Sequence, residues 1–455
     1  MLGIVVSRAD DASVHIGQHL LDLADWARVG DTTRPDAEGG GTVYRADGAE
    51  LREFDARHLD LERPAEAFDA VDLLVFASKH AGETGRLLTA HHTGNFGPAD
   101  HGGEPNTLAQ ACPNAHDRVL DALAEHAPAS YDVGMECTHH GPTDVGAPSM
   151  FVEVGSAREQ WEDPTAARAV ARAIFDLRGV SPDREPEDGD GADRHRRHLV
   201  GVGGGHYTPR FERVVRETDW AVGHIVADWG LEALGDLDAP ESRAALEAAF
   251  AESNAACALV DGDRPEATAA IEAVGGEVVS ETWVRETDAV PLAFARAVEG
   301  EVMAVADGLR FGDPAAGYDG EFAVGSVPAE LLDEARGIDR DATRTAFEET
   351  ALAFGTDQGG TRVTDPAVFA DPGDRERVVD RLLDILRNRY DSVERDGEAA
   401  VARERTFDPE RARKLGVPEG PKFGRLAGGQ PVEVDGREIP PDAVSQEHER
   451  RFPLR

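Results

Sequence analysis

The sequence predicts an α/β protein built on a mostly parallel sheet flanked by helices, followed by an acidic α+β extension at its C-terminal end. Two observations carry this. Short, apolar, β-branched runs alternate with helical-period segments up to about Val298, the pattern of a parallel sheet covered by helices on both faces. Beyond Val298 the alternation fades into acidic, alanine-rich, partly helical sequence, so the boundary is set there, giving domains 1–298 and 299–455. An apolar fraction of 40% over 455 residues suffices for a substantial core, and the length allows about three units of roughly 150 residues.

The elements follow in order. Leu2-Gly-Ile-Val-Val-Ser7 reads as a strand and Ala12 to Trp26 as a helix, with Leu20, Leu21 and Leu23 near helical spacing. Further strands are expected over Val71 to Ala77, Leu87 to Ala90, Asp132 to Cys137, Ser149 to Val154, His198 to Val202, Ala256 to Val260 and Glu277 to Thr282. Helices are expected over His116 to His126, Thr165 to Leu177, Thr208 to Glu217 and Pro265 to Ala273, then over Pro328 to Ala335 and Arg375 to Arg389. Gly30 to Gly41 and Ser181 to Arg194 read as surface insertions that carry no chemistry.

Charge narrows the setting. Lys+Arg number 47 against Asp+Glu 88, a formal net charge of −41 spread along the whole chain. Only Lys79, Lys414 and Lys422 among the basic residues are lysines. At molar ionic strength the Debye length falls to about 3 Å, so such a surface no longer repels itself; the reading is a halophilic protein of a salt-in cytosol. Three cysteines, none in a C-x-x-C pair, imply a reducing compartment. With no leader pattern and no apolar run of about 18 residues, a cytoplasmic protein without a membrane partner is expected.

The chemistry is expected where the histidines fall. Eight of sixteen lie between His80 and His140, and the important ones follow strands. Val71 to Ala77 runs into Ser78-Lys79-His80, Leu87 to Ala90 into His91-His92-Thr93-Gly94-Asn95, and Asp132 to Cys137 into Thr138-His139-His140-Gly141-Pro142. The strand ending at Val202 leads through Gly203-Gly204-Gly205 to His206-Tyr207. In an open α/β sheet the carboxyl ends of strands line the ligand crevice, so four strands would bring imidazoles together.

Imidazoles beside carboxylates suggest zinc, one or two ions per chain, with Glu136 and Glu153 as neighbouring acids. The expected ligands are His80, His92, His139, His140 and His206; Lys79, Glu136, Glu153 and Tyr207 are the expected catalytic groups. Neighbours on an extended strand point oppositely, so His91 and His92 should not share an ion, nor His139 and His140 unless the chain turns there. His15, His19, His58, His116, His126, His195, His198 and His448 read as structural or solvent-facing. No phosphate loop, G-x-S-x-G elbow, kinase set or common zinc signature is present, which disfavours nucleotide hydrolysis and serine-esterase chemistry. The residues alone leave open a zinc amidohydrolase or peptidase acting on a small substrate, and a non-catalytic RNA-binding protein.

Taken in order, Ser78-Lys-His80, His91-His-Thr-Gly-Asn95, Glu136-Cys-Thr-His-His-Gly-Pro142, Phe151-Val-Glu-Val-Gly-Ser156 with Trp161, and Gly203-Gly-Gly-His-Tyr207 resemble the archaeal and plant type of D-aminoacyl-tRNA deacylase. The likeness covers about residues 1 to 295. It implies a zinc-dependent hydrolase with a fold similar to phosphorylases and peptidyl-tRNA hydrolases. It also implies cleavage of the ester joining a D-amino acid to the terminal ribose of tRNA, with the acceptor end as partner and no DNA. Cys137 stands where the family's pattern leads one to expect a small residue such as alanine, which argues against a catalytic role for it. The C-terminal stretch from Lys414 to Leu426, followed by Val432 to Ile439 with a turn at Asp435-Gly436, predicts a hairpin. It resembles a short segment of the tRNA 3′-end processing endonucleases of the metallo-β-lactamase class, without their metal motif, and implies an accessory tRNA contact.

Overall fold

The computed structural model describes residues 1–187 and 196–454, so His195 and residues 188–194 of the expected Ser181 to Arg194 insertion lie outside the described residues. The chain divides into two compact units, Met1–Asp288 and Ala289–Arg455.

The first unit holds two sheets. Strands β1 (Leu2–Ser7), β2 (Ala27–Asp31), β3 (Gly41–Ala46), β4 (Ala49–Phe54), β5 (Leu73–Lys79), β6 (Leu87–His91), β7 (Asp132–Met135) and β8 (Ser149–Gly155) form one sheet in the order β2-β3-β4-β1-β5-β8-β6-β7. It is mixed. β4, β1, β5 and β8 run parallel, β3 opposes β4, and β6 and β7, parallel to each other, oppose β8. The central strands β1, β5 and β8 are buried throughout but for Lys79, which explains their unbroken apolar runs. β2 is almost wholly exposed, and its last two residues, Gly30 and Asp31, fall in the expected Gly30 to Gly41 insertion although they pair with β3.

Helices Asp11–Leu21, Pro113–His126 and Pro164–Asp176 pack together over one face of this sheet. The expectation of helices on both faces is corrected here. The opposite face, bearing Val5, Phe54, Leu74, Phe76 and Phe151, is covered by the 3-10 turns His58–Asp60 and Pro64–Ala67 and by Val145 and Ala147. A face covered by short turns leaves room for a cleft.

The second sheet is wholly parallel: β9 (His198–Val202), β10 (Ala221–Val226), β11 (Cys257–Val260) and β12 (Glu277–Val279), in the order β10-β9-β11-β12. β12 ends earlier than the sequence pattern suggests, because the Ser280 side chain accepts from Trp283 N and caps the helix Glu281–Glu286. A backbone seam joins the two sheets: Thr208 N donates to Met135 O (3.0 Å), Cys137 N to His206 O (2.9 Å) and Thr138 N to Ile225 O (3.0 Å).

The second unit is α+β. Leu309–Phe311, Ala323–Gly325, Ala353–Asp357 and Arg362–Phe369 form one antiparallel sheet; Ser392–Asp396, Ala399–Phe407 and Ser445–Pro453 form another. Helices Ala329–Ile338, Arg340–Glu348 and Pro372–Leu386 share a core with them that includes Leu331, Phe347, Phe354, Leu382 and Phe452. Val432–Val434 pairs with Arg437–Ile439, and Asp435 and Gly436 both have positive φ, the two-residue turn that Asp-Gly favours. Lys422 Nζ donates to Glu433 O, so this lysine supports the hairpin.

Candidate active site

The site is built on the sheet face that the turns cover. Side-chain alternation and register put Phe76 and Ser78 of β5, Thr89 and His91 of β6, and Phe151 and Glu153 of β8 on that face, with Phe76↔Phe151↔His91 and Ser78↔Glu153↔Thr89 as cross-strand rows. Because β6 opposes β8, His91 arrives beside Phe151 rather than beyond a strand end. The histidines therefore converge over the face of a mixed sheet, not in a crevice lined by four parallel carboxyl ends.

Three local features complete the constellation. Gly155 stands against His80, where a Cβ would fall 2.8 Å from the imidazole Cδ2, so only glycine leaves room for that ring against β8. The backbone leaves β7 at Met135 and turns, with His140 at φ +48, which brings the adjacent rings of His139 and His140 to 4.5 Å. The seam then delivers His206 and Tyr207 from the second sheet, with His206 Nε2 3.0 Å from Glu136 Oε2.

Within the cluster, the His91 and His139 rings are 4.1 Å apart, His91 and His140 4.9 Å, and His139 and His206 4.6 Å. His80 Nδ1 lies 3.2 Å from Glu136 Oε1 and 3.6 Å from Glu153 Oε2, while its Nε2 is 2.8 Å from the Tyr207 hydroxyl. Among the described residues, donor atoms of His91, His139 and His140, of Cys137, His139 and His206, of His80, Glu136 and His206, and of His91, Glu136 and Glu153 form four groups compact enough to hold a metal ion.

The residues fit such an ion. His91, His139 and His140 each place Nδ1 against a backbone carbonyl, of His92 (3.0 Å), Cys137 (2.8 Å) and Gly141 (2.7 Å). With Nδ1–H donating, each Nε2 is left as a lone pair, the arrangement by which proteins orient metal-bound imidazoles. His91 Nε2 and Glu136 Oε1 are buried without an aligned hydrogen bond, although Glu153 stands 3.8 Å from the first and His80 Nδ1 3.2 Å from the second, and poorly matched acceptors in one pocket are costly unless a cation or proton answers them.

Charge is distributed unevenly. Burial and the neighbouring rings push His139 well down and His140 to about 3, keeping both neutral. Burial also works against charge on His80 and His91, but contact with Glu153 and the charge of Glu136 raise both. Glu153 is buried, yet the His80 and His91 imidazoles hold its carboxyl below the usual range. Burial and Glu136 push the Cys137 thiol up to about 12, so it is no thiolate nucleophile.

His80, His139, His140, His206 and Glu153 line a cleft of about 660 Å³, together with Lys79, Asp10, His58, His101 and Trp229. The Lys79 ammonium lies 5.2 Å from the centre of the Trp161 ring, a cation–π contact at the cleft wall. His92 is the exception among the expected ligands. It points through the sheet, its Nδ1 3.1 Å from Gly223 O and its ring 4.6 Å from His116 and 5.7 Å from His224. His91 takes its place in the site; parity on β6 already requires the two to diverge. His58, expected to be structural, reaches the cleft wall. Its contacts with Ser13 Oγ (3.3 Å) and Asp10 (3.9 Å) imitate a serine triad, but Ser13 is fully buried and receives Ser7 N–H, so no nucleophile faces the cleft there.

Residues 67–279 match the family model described as D-aminoacyl-tRNA deacylase. Curated proteins of that name are similar over nearly the whole chain. The one from Haloarcula marismortui is 59% identical, with 100% of both chains covered. That from Natronomonas pharaonis is 53% identical, covering 99% of this chain and 100% of its own. The one from Methanoregula boonei is 32% identical, covering 99% and 98%. The crystal structure of a conserved protein of unknown function is similar at a TM-score of 0.52 and 29% identity, covering 63% of this chain and 96% of that one. With its histidine cleft framed by matched sequence and its full length shared with these relatives, the chain belongs to the D-aminoacyl-tRNA deacylase family.

Proposed function

We propose that the protein hydrolyses the ester between a D-amino acid and the terminal ribose of tRNA, releasing both, with a zinc ion, or two, held among His91, His139, His140 and His206, while His80 and the two glutamates move protons. The observation that carries the chemistry is the meeting of three Nε2 lone pairs with poorly matched buried acceptors. Family membership carries the substrate. A divalent ion there would supply Lewis acidity to the ester carbonyl and acidify water.

The chain's own residues supply the remaining needs of ester cleavage. Glu153, held ionised at the cleft wall, accepts the proton of the attacking water. Glu136 and Glu153 meet His80 Nδ1, and His80 Nε2 meets the Tyr207 hydroxyl, a path that returns a proton to the leaving ribose oxygen. Tyr207 O–H is also a donor for the developing oxyanion, and Lys79 adds positive charge at the wall. Discrimination against L substrates is then a matter of exclusion, with the pocket admitting a D side chain and clashing with an L one.

On this reading residues 1–298 form the catalytic part, similar to phosphorylases and peptidyl-tRNA hydrolases. The acidic C-terminal region is an accessory element whose hairpin-bearing tail, about 414–444, touches the tRNA. Among the described residues no helix is long and apolar enough to cross a membrane, in keeping with a cytoplasmic enzyme. The test is deacylation of D- and L-tyrosyl-tRNA in molar KCl with elemental analysis of the same sample. D-selective hydrolysis with bound zinc is expected. Equal activity on a free D-tyrosine ester, with no gain from the tRNA carrier, would replace this reading by a small-substrate hydrolase.

A further inference from the structure

Among the wall components that the reaction does not use is an exposed aromatic side chain. Of the large hydrophobic side chains exposed among the described residues, Val29, Trp229, Val324 and Leu415, only Trp229 is aromatic, and it alone lines the cleft, at 44% exposure, a cleft that His139, His140 and His206 also line. An indole left open to water in the wall of a catalytic cleft calls for an occupant.

Its placement is rigid. Trp229 is the second residue of the helix Asp228–Leu234. Asp228 N donates to Gly204 O (2.9 Å) and Gly203 N to Val226 O (2.8 Å), so the helix is tied to the glycine loop that presents His206. Gly203, at φ +96, lies where a Cβ would strike Arg264 Nε at 2.6 Å, and substitution there would loosen this tie. On the other side a Cβ at Gly97 would meet Ala233 at 2.6 Å, so the helix also packs closely on the loop after Asn95.

Other sources of nucleic-acid affinity are weak at this cleft. Arg57 is bound to Asp60 (2.8 Å), Arg264 to Asp228 (2.6 Å), and Lys79 lies on Trp161. Asp10 and Asp100 line the same space, and the net charge is −41. Phosphate contacts driven by counterion release fade at molar salt, whereas base stacking on an aromatic face needs no charge. From this geometry, and resting on the deacylase reading above, we propose that Trp229 is the platform on which the terminal base of the acceptor strand stacks, holding the ester over the histidine cluster.

The experiment compares the full-length wild type with Trp229→Ala and Trp229→Phe in molar KCl. Loss of one base–aromatic stack corresponds to about 5- to 150-fold. Trp229→Ala should raise KM for D-tyrosyl-tRNA by that factor with kcat within about twofold, and Trp229→Phe should recover most of it. Binding of a fluorescent RNA oligonucleotide ending in adenosine should weaken in parallel. An unchanged KM, or a loss confined to kcat, overturns the platform. So does an equal loss on D-tyrosine ethyl ester, which carries no base. If the wild type hydrolyses no aminoacyl-tRNA, the deacylase reading fails by itself, and oligonucleotide binding then decides the platform: no binding, or binding indifferent to Trp229, refutes it.

Discussion

Two adjacent histidines offer a sharp test of the site. His91 and His92 are both buried, 0% and 2% exposed, and each gives a ring hydrogen bond to a backbone carbonyl. Truncating either to alanine opens a cavity and leaves a carbonyl unmatched, costing roughly 2–4 kcal/mol of stability. Their functional consequences should differ. His91→Ala removes one of three converging Nε2 atoms and strips Glu153 of its 3.8 Å imidazole neighbour. Losing a partner that merely orients a ligand lowers metal affinity by about 10- to 100-fold, so loss of the ligand should cost at least roughly 10²-fold, with turnover following occupancy. His92→Ala should keep metal and most activity while melting at a similarly lowered temperature. Elemental analysis after dialysis in molar KCl, deacylation kinetics and thermal melts check all three. If His92→Ala loses metal and His91→Ala keeps it, the assignment of faces is wrong; if both keep it, the three-imidazole set is not a metal centre.

Glu136→Gln and Glu153→Gln preserve shape and should retain metal while lowering kcat by roughly 10²- to 10⁴-fold; turnover unchanged in both would remove the glutamates from the proton path. Gly155→Ala should displace His80 from Glu136 and Tyr207, reducing kcat while the far-ultraviolet circular dichroism stays native, and a fully active variant would show that the 2.8 Å approach is not needed. The buried His198 and His224 are pushed down to about 4 by burial, each with neutral-form hydrogen bonds at both nitrogens. Their folded pKa lies below the unfolded value, so the unfolded state takes up protons first. Stability should therefore be lost as pH falls from about 6.5 to 4, by up to roughly 3 kcal/mol per histidine; denaturation midpoints flat across that window would contradict the burial argument. The surface charge predicts a fold that persists in molar KCl and unravels in dilute buffer, and a circular dichroism signal indifferent to salt down to ~0.1 M would refute it.

The sequence by itself determines the properties that are sums or short-range patterns. Its charge balance sets the salt requirement, and this agrees with relatives from Haloarcula and Natronomonas. The buried strands β1, β5 and β8 are legible because strands covered on both faces are continuously apolar, and the hairpin turn is legible because Asp-Gly tolerates two positive φ angles. Parity also states that His91 and His92 must diverge.

Which of the two serves the site was decided only by the tertiary structure. That depends on which face the helices Asp11–Leu21, Pro113–His126 and Pro164–Asp176 cover, and on β6 opposing β8, neither of which a local pattern encodes. The left-handed backbone at His140, the space that Gly155 leaves for His80, and the seam that carries His206 to Glu136 are likewise contacts between distant segments. Trp229 carries no sequence signal at all. Its indole lines the cleft because the helix bearing it is hydrogen-bonded to the glycine loop, and side-chain exposure is a property of the packed chain.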